Sequence, residues 1–358
     1  MSIAASFTGS SQFRPVLAKL EAGGRQYFGP SFVGVAPVRA LDRPFSTILE
    51  IRVKAQAGTD NAFVKILKPR ANTEAEIESM RQNVVKDFEM TSRVHQGLSR
   101  YPGLTAVRPI ACFPEDLAIV TEQAVGKTLA ELLTQAAGWP NPHARQRLVR
   151  TVRQAGTWIR AAQAALPQDR EIAIDTVKTY FDRRLADMEA RGPMRLTRAG
   201  RVALERHRDR LIELALMDQG TRTGFPAVWI HADFCPDNVI VRDGRMTVLD
   251  FTMAKAGTIY HDVSHLYLWI DSMTAKPWFR RRITALLQAE LLDAFEPGLT
   301  PDRPLFALTL LQHVLCHLVE IQSGGRSRIA RLYAARLHAR HRQWLAAAAG
   351  LDASSWSR

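Results

Sequence analysis

The rhythm of apolar and polar positions changes near Thr128. Before it the pattern is mostly that of strands. Thr47 to Ala55 alternates with the two-residue period of a half-buried strand, and Gln56 to Asn61 carries the turn residues Gly58, Asp60 and Asn61. Ala62-Phe63-Val64-Lys65-Ile66-Leu67-Lys68 then reads as the returning strand. Glu74 to His95 contains neither Pro nor Gly and predicts a long helix, with Val85, Phe88 and Val94 as its inward stripe. Two apolar stretches, Leu104 to Cys112 and Leu117 to Thr121, read as further strands separated by Pro114, Glu115 and Asp116.

After Thr128 the pattern becomes helical over Ala144 to Leu166, Asp175 to Arg191, Thr197 to Met217, Arg280 to Ala294, Leu305 to Ile321 and Arg326 to Ala348. Pro167, Pro193, Pro297, Pro301 and Gly324 punctuate these segments. Within this half, Ala227-Val228-Trp229-Ile230 predicts a buried strand, and Val239 to Leu249 holds two β-rich runs around Asp243-Gly244, a hairpin signal. The expected class is therefore α+β: a small antiparallel-sheet lobe over residues 1–123 and a mainly helical lobe over 124–358, working as one bilobal unit.

Composition narrows the possibilities. The 358 residues carry a formal charge of +13, and arginine far outnumbers lysine. Charge alone would suit a basic nucleic-acid-binding protein, but no zinc-finger spacing or aromatic RNA-binding motif accompanies it, so no specific nucleic acid is expected. No basic-then-apolar signal opens the chain, and Leu305 to Ile321 is short for a membrane span and holds Gln312, His313, His317 and Glu320. The three cysteines, Cys112, Cys235 and Cys316, lack metal-ligand spacing and a paired framework, which fits a reducing cytoplasm. Cys235 reads as a steric neighbour of the candidate chemistry rather than a nucleophile.

That chemistry lies in His231 to Phe251, HADFCPDNVIVRDGRMTVLDF. Phosphoryl transfer needs a carboxylate to orient the accepting hydroxyl and take its proton, with oxygen ligands for the metal that neutralises phosphate charge. Asp233, Asn238 and Asp250 are residues of those types. A three-residue hairpin loop would set Asn238 opposite Asp250, whereas a two-residue loop would set it opposite Leu249. Shared metal ligation favours the three-residue loop. Asp237 and Asp243 read as ordinary turn residues.

The string His, one residue, Asp, four residues, Asn, then Asp about a dozen later resembles the motifs of the aminoglycoside phosphotransferase and choline kinase superfamily. These are small-molecule kinases of protein-kinase-like fold. The resemblance implies Asp233 as base, Asn238 and Asp250 as Mg²⁺ ligands, and ATP or GTP as donor. His231 would support the loop, and Asp262 would brace it. Lys65 resembles the family's phosphate-binding lysine, with Glu89 as its helix partner and Glu76 and Glu78 as alternatives. Lys68 reads as a solvated flanking charge. Thr121 to Leu129 resembles the hinge whose backbone, at Glu122 and Ala124, would pair with the nucleotide base. The phosphate-covering loop, Leu41 to Ser46, departs from expectation because it has no glycine, so Ser46 or Arg43 would make the contact.

The expected reaction is transfer to a hydroxyl of a small molecule. Asp250-Phe251-Thr252 lacks the glycine of a protein kinase's DFG, and the short path to His261 leaves little room for a peptide platform. A globally basic chain would repel a polycation unless a local acidic pocket overrides that field. This tilts the expected acceptor toward a sugar, glycan precursor or lipid-linked metabolite, with aminoglycoside-like compounds still open. The glycine-free loop also leaves open a catalytically weak, kinase-like regulatory module. The pairs His261 with His265 and His313 with His317 share helix faces, yet neither sits in HExxH, and core or pocket-lining roles are expected before zinc. The oligomeric state is not addressed by any of these features.

Overall fold

The computed structural model describes residues 11–138, 141–191, 195–276, 278–323, 328–352 and 355–357. The chain divides into two compact units, one running to Lys127 and including Ile240–Ala254, the other comprising Thr128–Val239 and the residues from Lys255 onward. The hairpin segment thus groups with the first unit.

In the first unit, helices α1 (Arg14–Ala22) and α2 (Gly24–Phe28) precede strands β1 (Phe32–Asp42), β2 (Ser46–Ala55) and β3 (Gly58–Leu67). Helix α3 (Glu74–Gly97) follows, then β4 (Leu104–Ala106), β5 (Pro109–Phe113) and β6 (Ala118–Glu122). Five strands form one antiparallel sheet in the order β1-β2-β3-β6-β5. Alternation decides its faces: Leu49, Ile51 and Val53 of β2 and Ala62, Val64 and Ile66 of β3 are buried with Phe13, Val16 and Leu20 of the N-terminal segment. Lys65, one position out of phase with the buried set of β3, therefore belongs to the other face.

The strand predicted over Leu104 to Cys112 is two strands in different sheets. β4 runs parallel to Arg245–Val248, with Met246 opposite Leu104 and Val248 opposite Ala106, while β5 joins the main sheet. A continuous apolar run marks burial in either sheet, and only the partners tell them apart. Strands Val239–Arg242 and Arg245–Val248 are joined by Asp243 and Gly244 alone, with φ of 47° and 78°. Two consecutive left-handed residues are the mark of a two-residue type I′ hairpin, so the expected three-residue loop is corrected.

Gly126 lies beside this hairpin. Its φ is 150°, and a Cβ added there would lie 2.5 Å from the Val241 carbonyl oxygen. Gly126→Ala is expected to destabilise the protein by about 2–3 kcal/mol through strain and backbone displacement, read from the urea midpoint. An unchanged midpoint would show that the contact carries no such constraint.

The second unit is mainly helical: α4 (Leu129–Gly138), α5 (Pro142–Ala165), α6 (Ile174–Arg191), α7 (Arg198–Gln219), α8 (His261–Ser272), α9 (Arg281–Phe295), α10 (Pro304–Ser323) and α11 (Arg328–Ala349). The first two residues of the helix predicted from Arg326 lie outside the described residues. Local caps explain two of the starts: Asn141 accepts from the His143 and Ala144 amides ahead of α5, and Thr197 accepts from the Gly200 amide ahead of α7. α10 lies against α6, α7 and α8, and α5 against α9. Among the described residues, no helix is long and apolar enough to cross a membrane.

Candidate active site

The first unit gathers four of the relevant side chains. Lys65 Nζ donates to Asp250 Oδ1 at 2.9 Å and lies 3.8 Å from Asp87 Oδ2. The Thr252 hydroxyl accepts from Lys65 at 3.3 Å and sits 2.8 Å from a carboxylate oxygen of both Asp87 and Asp250, donating to one at a time. A partly buried ammonium thus has the charged partners its desolvation demands. Asp250 itself lies just past the hairpin strand with a φ of 62°. The left-handed turn, rather than strand alternation, therefore sets the direction of its side chain. Such a conformation at a non-glycine residue costs of order 1–3 kcal/mol and persists where surrounding contacts hold it.

Glu89 is not the partner of Lys65. The buried positions of α3 are Val84, Asp87, Thr91 and Val94, whereas Glu89 is exposed. Two residues along a helix is a turn of about 200°, so Asp87 and Glu89 point to nearly opposite sides. Val85 and Phe88 are half-buried, flanking that stripe rather than forming its centre. Burial pushes the Asp87 carboxyl up, against the pull of Lys65, and neighbouring Asp250 adds to the rise. Glu76 instead accepts from the Arg70 and Ala71 amides, and Glu78 pairs with Arg81. Sequence reasoning missed Asp87 and Thr252; an aspartate in phase with Val84, Thr91 and Val94 was the available signal.

Two further expectations change at the loop between β1 and β2. Ser46 is buried at the start of β2, where its carbonyl accepts from the Arg43 amide at 2.9 Å. The exposed tip is Arg43, Pro44 and Phe45, so the Ser46 side chain is not what this loop presents to solvent. Lys68 is no idle flanking charge: it pairs with Asp42 and donates to the Arg43 carbonyl at 2.9 Å, tying the tip to β3. In the expected hinge, the Glu122 amide donates to the Arg108 carbonyl at 2.9 Å. Ala124, half-buried, follows just beyond the end of β6.

The second unit holds the other constellation. Strand Val228–Ile230 delivers the loop from His231, as expected. Asn238 Nδ2 donates to both the main-chain oxygen and Oδ2 of Asp233, each at 3.0 Å, so the amide nitrogen faces Asp233 and the amide oxygen faces away. The Asp233 amide donates to His231 Nδ1 at 3.3 Å. Beneath the loop, the buried Asp262 carboxylate accepts from the amides of His231 at 2.7 Å and Ala232 at 2.9 Å. Burial opposes the charge of Asp262, but His261 at 3.3 Å and these amides hold its carboxyl below the usual carboxylate range. Trp229 and Phe234 meet the His231 ring edge-on, and Trp158 packs against both of them, its centroid 5.3 Å from that of Phe234. Burial and the nearby Asp233 push the Cys235 thiol up to about 12, which keeps it protonated and unsuited to nucleophilic attack.

Asp262 also pins Ala232 at a φ of 64°. Asp262→Ala would leave the buried His231 amide and the half-buried Ala232 amide without this acceptor and the left-handed residue unsupported. We expect a loss of about 3–5 kcal/mol in urea unfolding. A loss below about 1 kcal/mol would mean that water replaces the carboxylate at little cost.

Of the expected histidine pairs, His261 and His313 are buried and His265 and His317 half-buried. His261 and His313 centroids lie 4.5 Å apart, His265 stacks on His313 at 4.7 Å, and His317 meets His341 at 5.0 Å. Among the described residues, no group of three or more His, Cys, Asp or Glu side chains could hold a metal ion.

Fold and motif together define a phosphotransferase with a protein-kinase-like architecture. The sequence profile of the phosphotransferase enzyme family matches residues 114–305, and the chain belongs to that family. No curated protein sequence shows a significant match to it. Solved structures show the fold: a choline/ethanolamine kinase family protein from Mesorhizobium loti is 15% identical, with TM-score 0.53 over 94% of this chain and 95% of that one. The aminoglycoside phosphotransferase APH(4)-Ia is 14% identical, with TM-score 0.52 over 92% and 99%. The amicoumacin kinase hAmiN, solved with AMP-PNP, Ca²⁺ and Ami, is 13% identical, with TM-score 0.51 over 86% and 88%.

Proposed function

We propose that the protein transfers the γ-phosphoryl group of ATP or GTP to a hydroxyl of a small molecule. The observation that carries this reading is the Asp233 carboxylate, held by the Asn238 amide in a loop braced from below by Asp262. Family membership supplies the reaction class; this geometry supplies the group that would perform it.

In this reading Asp233 orients the acceptor hydroxyl and takes its proton as the oxygen attacks. Lys65 holds phosphate oxygens, and Asp87 and Thr252 aim its ammonium. The backbone of Glu122 and Ala124 pairs with the base. Asn238 and Asp250 are the residues that would hold Mg²⁺. The donor set fits: an amide oxygen turned away from Asp233 and an exposed carboxylate are hard oxygen ligands, and Mg²⁺ is commonly held by one or two carboxylates together with substrate phosphates. The ion would supply neutralisation of phosphate charge when bound. A cytoplasmic setting, where nucleotide and Mg²⁺ are plentiful, belongs to the same proposal.

A screen of Mg²⁺-dependent phosphoryl transfer from ATP and GTP to sugars, amino alcohols, aminoglycosides and glycan precursors tests it. Acceptor-dependent release of ADP or GDP, with phosphorylated product, is the expected outcome. Nucleotide binding without transfer to any of them would favour the regulatory module instead.

A further inference from the structure

A cluster of cations in the second unit has no part in the chemistry above. The Tyr180 ring of α6 is approached by Arg184 Cζ at 4.9 Å, Arg183 Cζ at 5.4 Å and Lys255 Nζ at 5.5 Å from its centroid. Arg184 also donates through Nη2 to the Tyr180 hydroxyl at 3.1 Å. Aromatic faces attract cations, but three at one ring repel one another and must be held against that repulsion.

On the arginine side, desolvation opposes the charge of Arg184, while Cys316, the Tyr180 hydroxyl and Asp187 favour it. The ion pair Arg184 makes among the described residues is with Asp187 at 3.8 Å, and Arg191 holds the same carboxylate at 2.7 Å. Arg184 Nε is buried without a hydrogen-bond partner, while 29% of the side chain stays open to solvent. Native proteins leave few such donors unmet, and strain, a catalytic role, a water or a bound ion accounts for them.

The cluster is also close to the proposed base. Lys255 opens strand Lys255–Gly257, which pairs with Val228–Ile230 so that Lys255 lies opposite Ile230. Asp233 follows Ile230 by three residues, a span of at most about 10 Å. Paired strand residues stand about 5 Å apart. Lys255 and Asp233 are therefore separated by no more than about 15 Å of backbone path, within reach of one acceptor the size of a substituted sugar.

We propose that the acceptor carries an anionic group, a phosphate or a carboxylate, which docks on Lys255 and Arg184 beside Tyr180 while its hydroxyl faces Asp233. This inference rests on the kinase reading above for its second half. The anion site itself stands on the cluster. A guanidinium offers paired donors to either oxyanion, and an ammonium adds a point charge.

The test is calorimetric titration of glucose 6-phosphate, glucuronate and glucose into the protein saturated with AMP-PNP and Mg²⁺, with phosphoryl transfer measured separately with ATP. At least one anion should bind about tenfold or more tightly than glucose, as one added charge-assisted contact allows. The phosphate and carboxylate arms tell which oxyanion fits. Lys255→Gln, an exposed position, and Arg184→Gln should each weaken that binding by about tenfold. Equal affinity for glucose, no measurable binding of either anion, or anion affinity unchanged in both variants would overturn the proposal. Failure of the kinase reading looks different: anions bind and respond to Lys255→Gln, yet no compound is phosphorylated.

Discussion

Asp233→Asn is expected to lower turnover by about 10²- to 10⁴-fold while nucleotide affinity stays largely intact, the range for loss of a general base. The substitution keeps size and shape, so the Asn238 contacts to the main-chain oxygen and to the side-chain oxygen at this position can persist. What disappears is the ability to accept the hydroxyl proton in the transition state. A group that acts only there should depress kcat and kcat/KM alike and leave KM nearly unchanged. The nucleotide ligands proposed in the first unit are separate residues, so calorimetric titration of Mg-ATP should match the wild type. Turnover that survives the substitution with the true acceptor would remove Asp233 from the role of base. A collapse in nucleotide affinity would instead show that the loop had been disturbed.

Acidification should destabilise the protein well above the range in which carboxylates titrate. Desolvation lowers His265 to about 3, with His261 adding repulsion; it lowers His317 to about 4, and His341 to about 3. The ordinary value is near 6.5. These imidazoles are therefore neutral in the folded protein, while the unfolded chain takes up their protons below about pH 6.5. Their contribution to stability is fully present above that pH and is lost as pH falls through 6.5 toward 4 and 3. By pH 5 each costs about 2 kcal/mol, and the three together about 6 kcal/mol at most. Burial drives His313 down as well, in the same direction.

The hydrogen bonds explain why protonation is resisted. Trp269 Nε1 donates to His265 Nε2 at 3.2 Å, which fixes that nitrogen as an acceptor, and His341 Nε2 shares one proton with His317 Nδ1 at 2.9 Å. A second proton on either pair would turn a hydrogen bond into a repulsion. Asp262 favours protonation of His265, but desolvation and His261 outweigh it, and Arg340 adds to the repulsion at His341. Urea midpoints measured from pH 7.5 to 5 should fall steeply. A flat profile over that window would show that the cluster opens to solvent or carries its charge in the fold.

Much of this candidate site is legible in the sequence. The order His231, Asp233, Asn238, Asp250 and the Asp243-Gly244 turn are local facts, and α5, α6, α7, α9, α10 and α11 lie within a few residues of the spans expected for them. Lys65 stood out because a lysine inside an apolar strand needs a partner. The identity of the partner did not follow. It depended on the rotation of α3 about its axis, and a shift of two positions exchanges Asp87 for Glu89. The hairpin posed a similar difficulty: Asp250 requires a three-residue loop only if it continues the strand. Its left-handed backbone removes that requirement.

The cations around Tyr180 lay further from view, since Arg184 and Lys255 are 71 positions apart in the sequence and reach the same ring only because Lys255 comes up to α6. By itself, the sequence determined which segments are helix or strand and which residues carry chemistry, because periodicity, caps and turn residues act over a few positions. Only the tertiary structure decided which side chains face one another: Asp87 toward Lys65, β4 along the hairpin strand, Asp262 beneath the His231 loop. Those choices depend on contacts between distant parts of the chain, where one step of register or a fraction of a helical turn changes the partner.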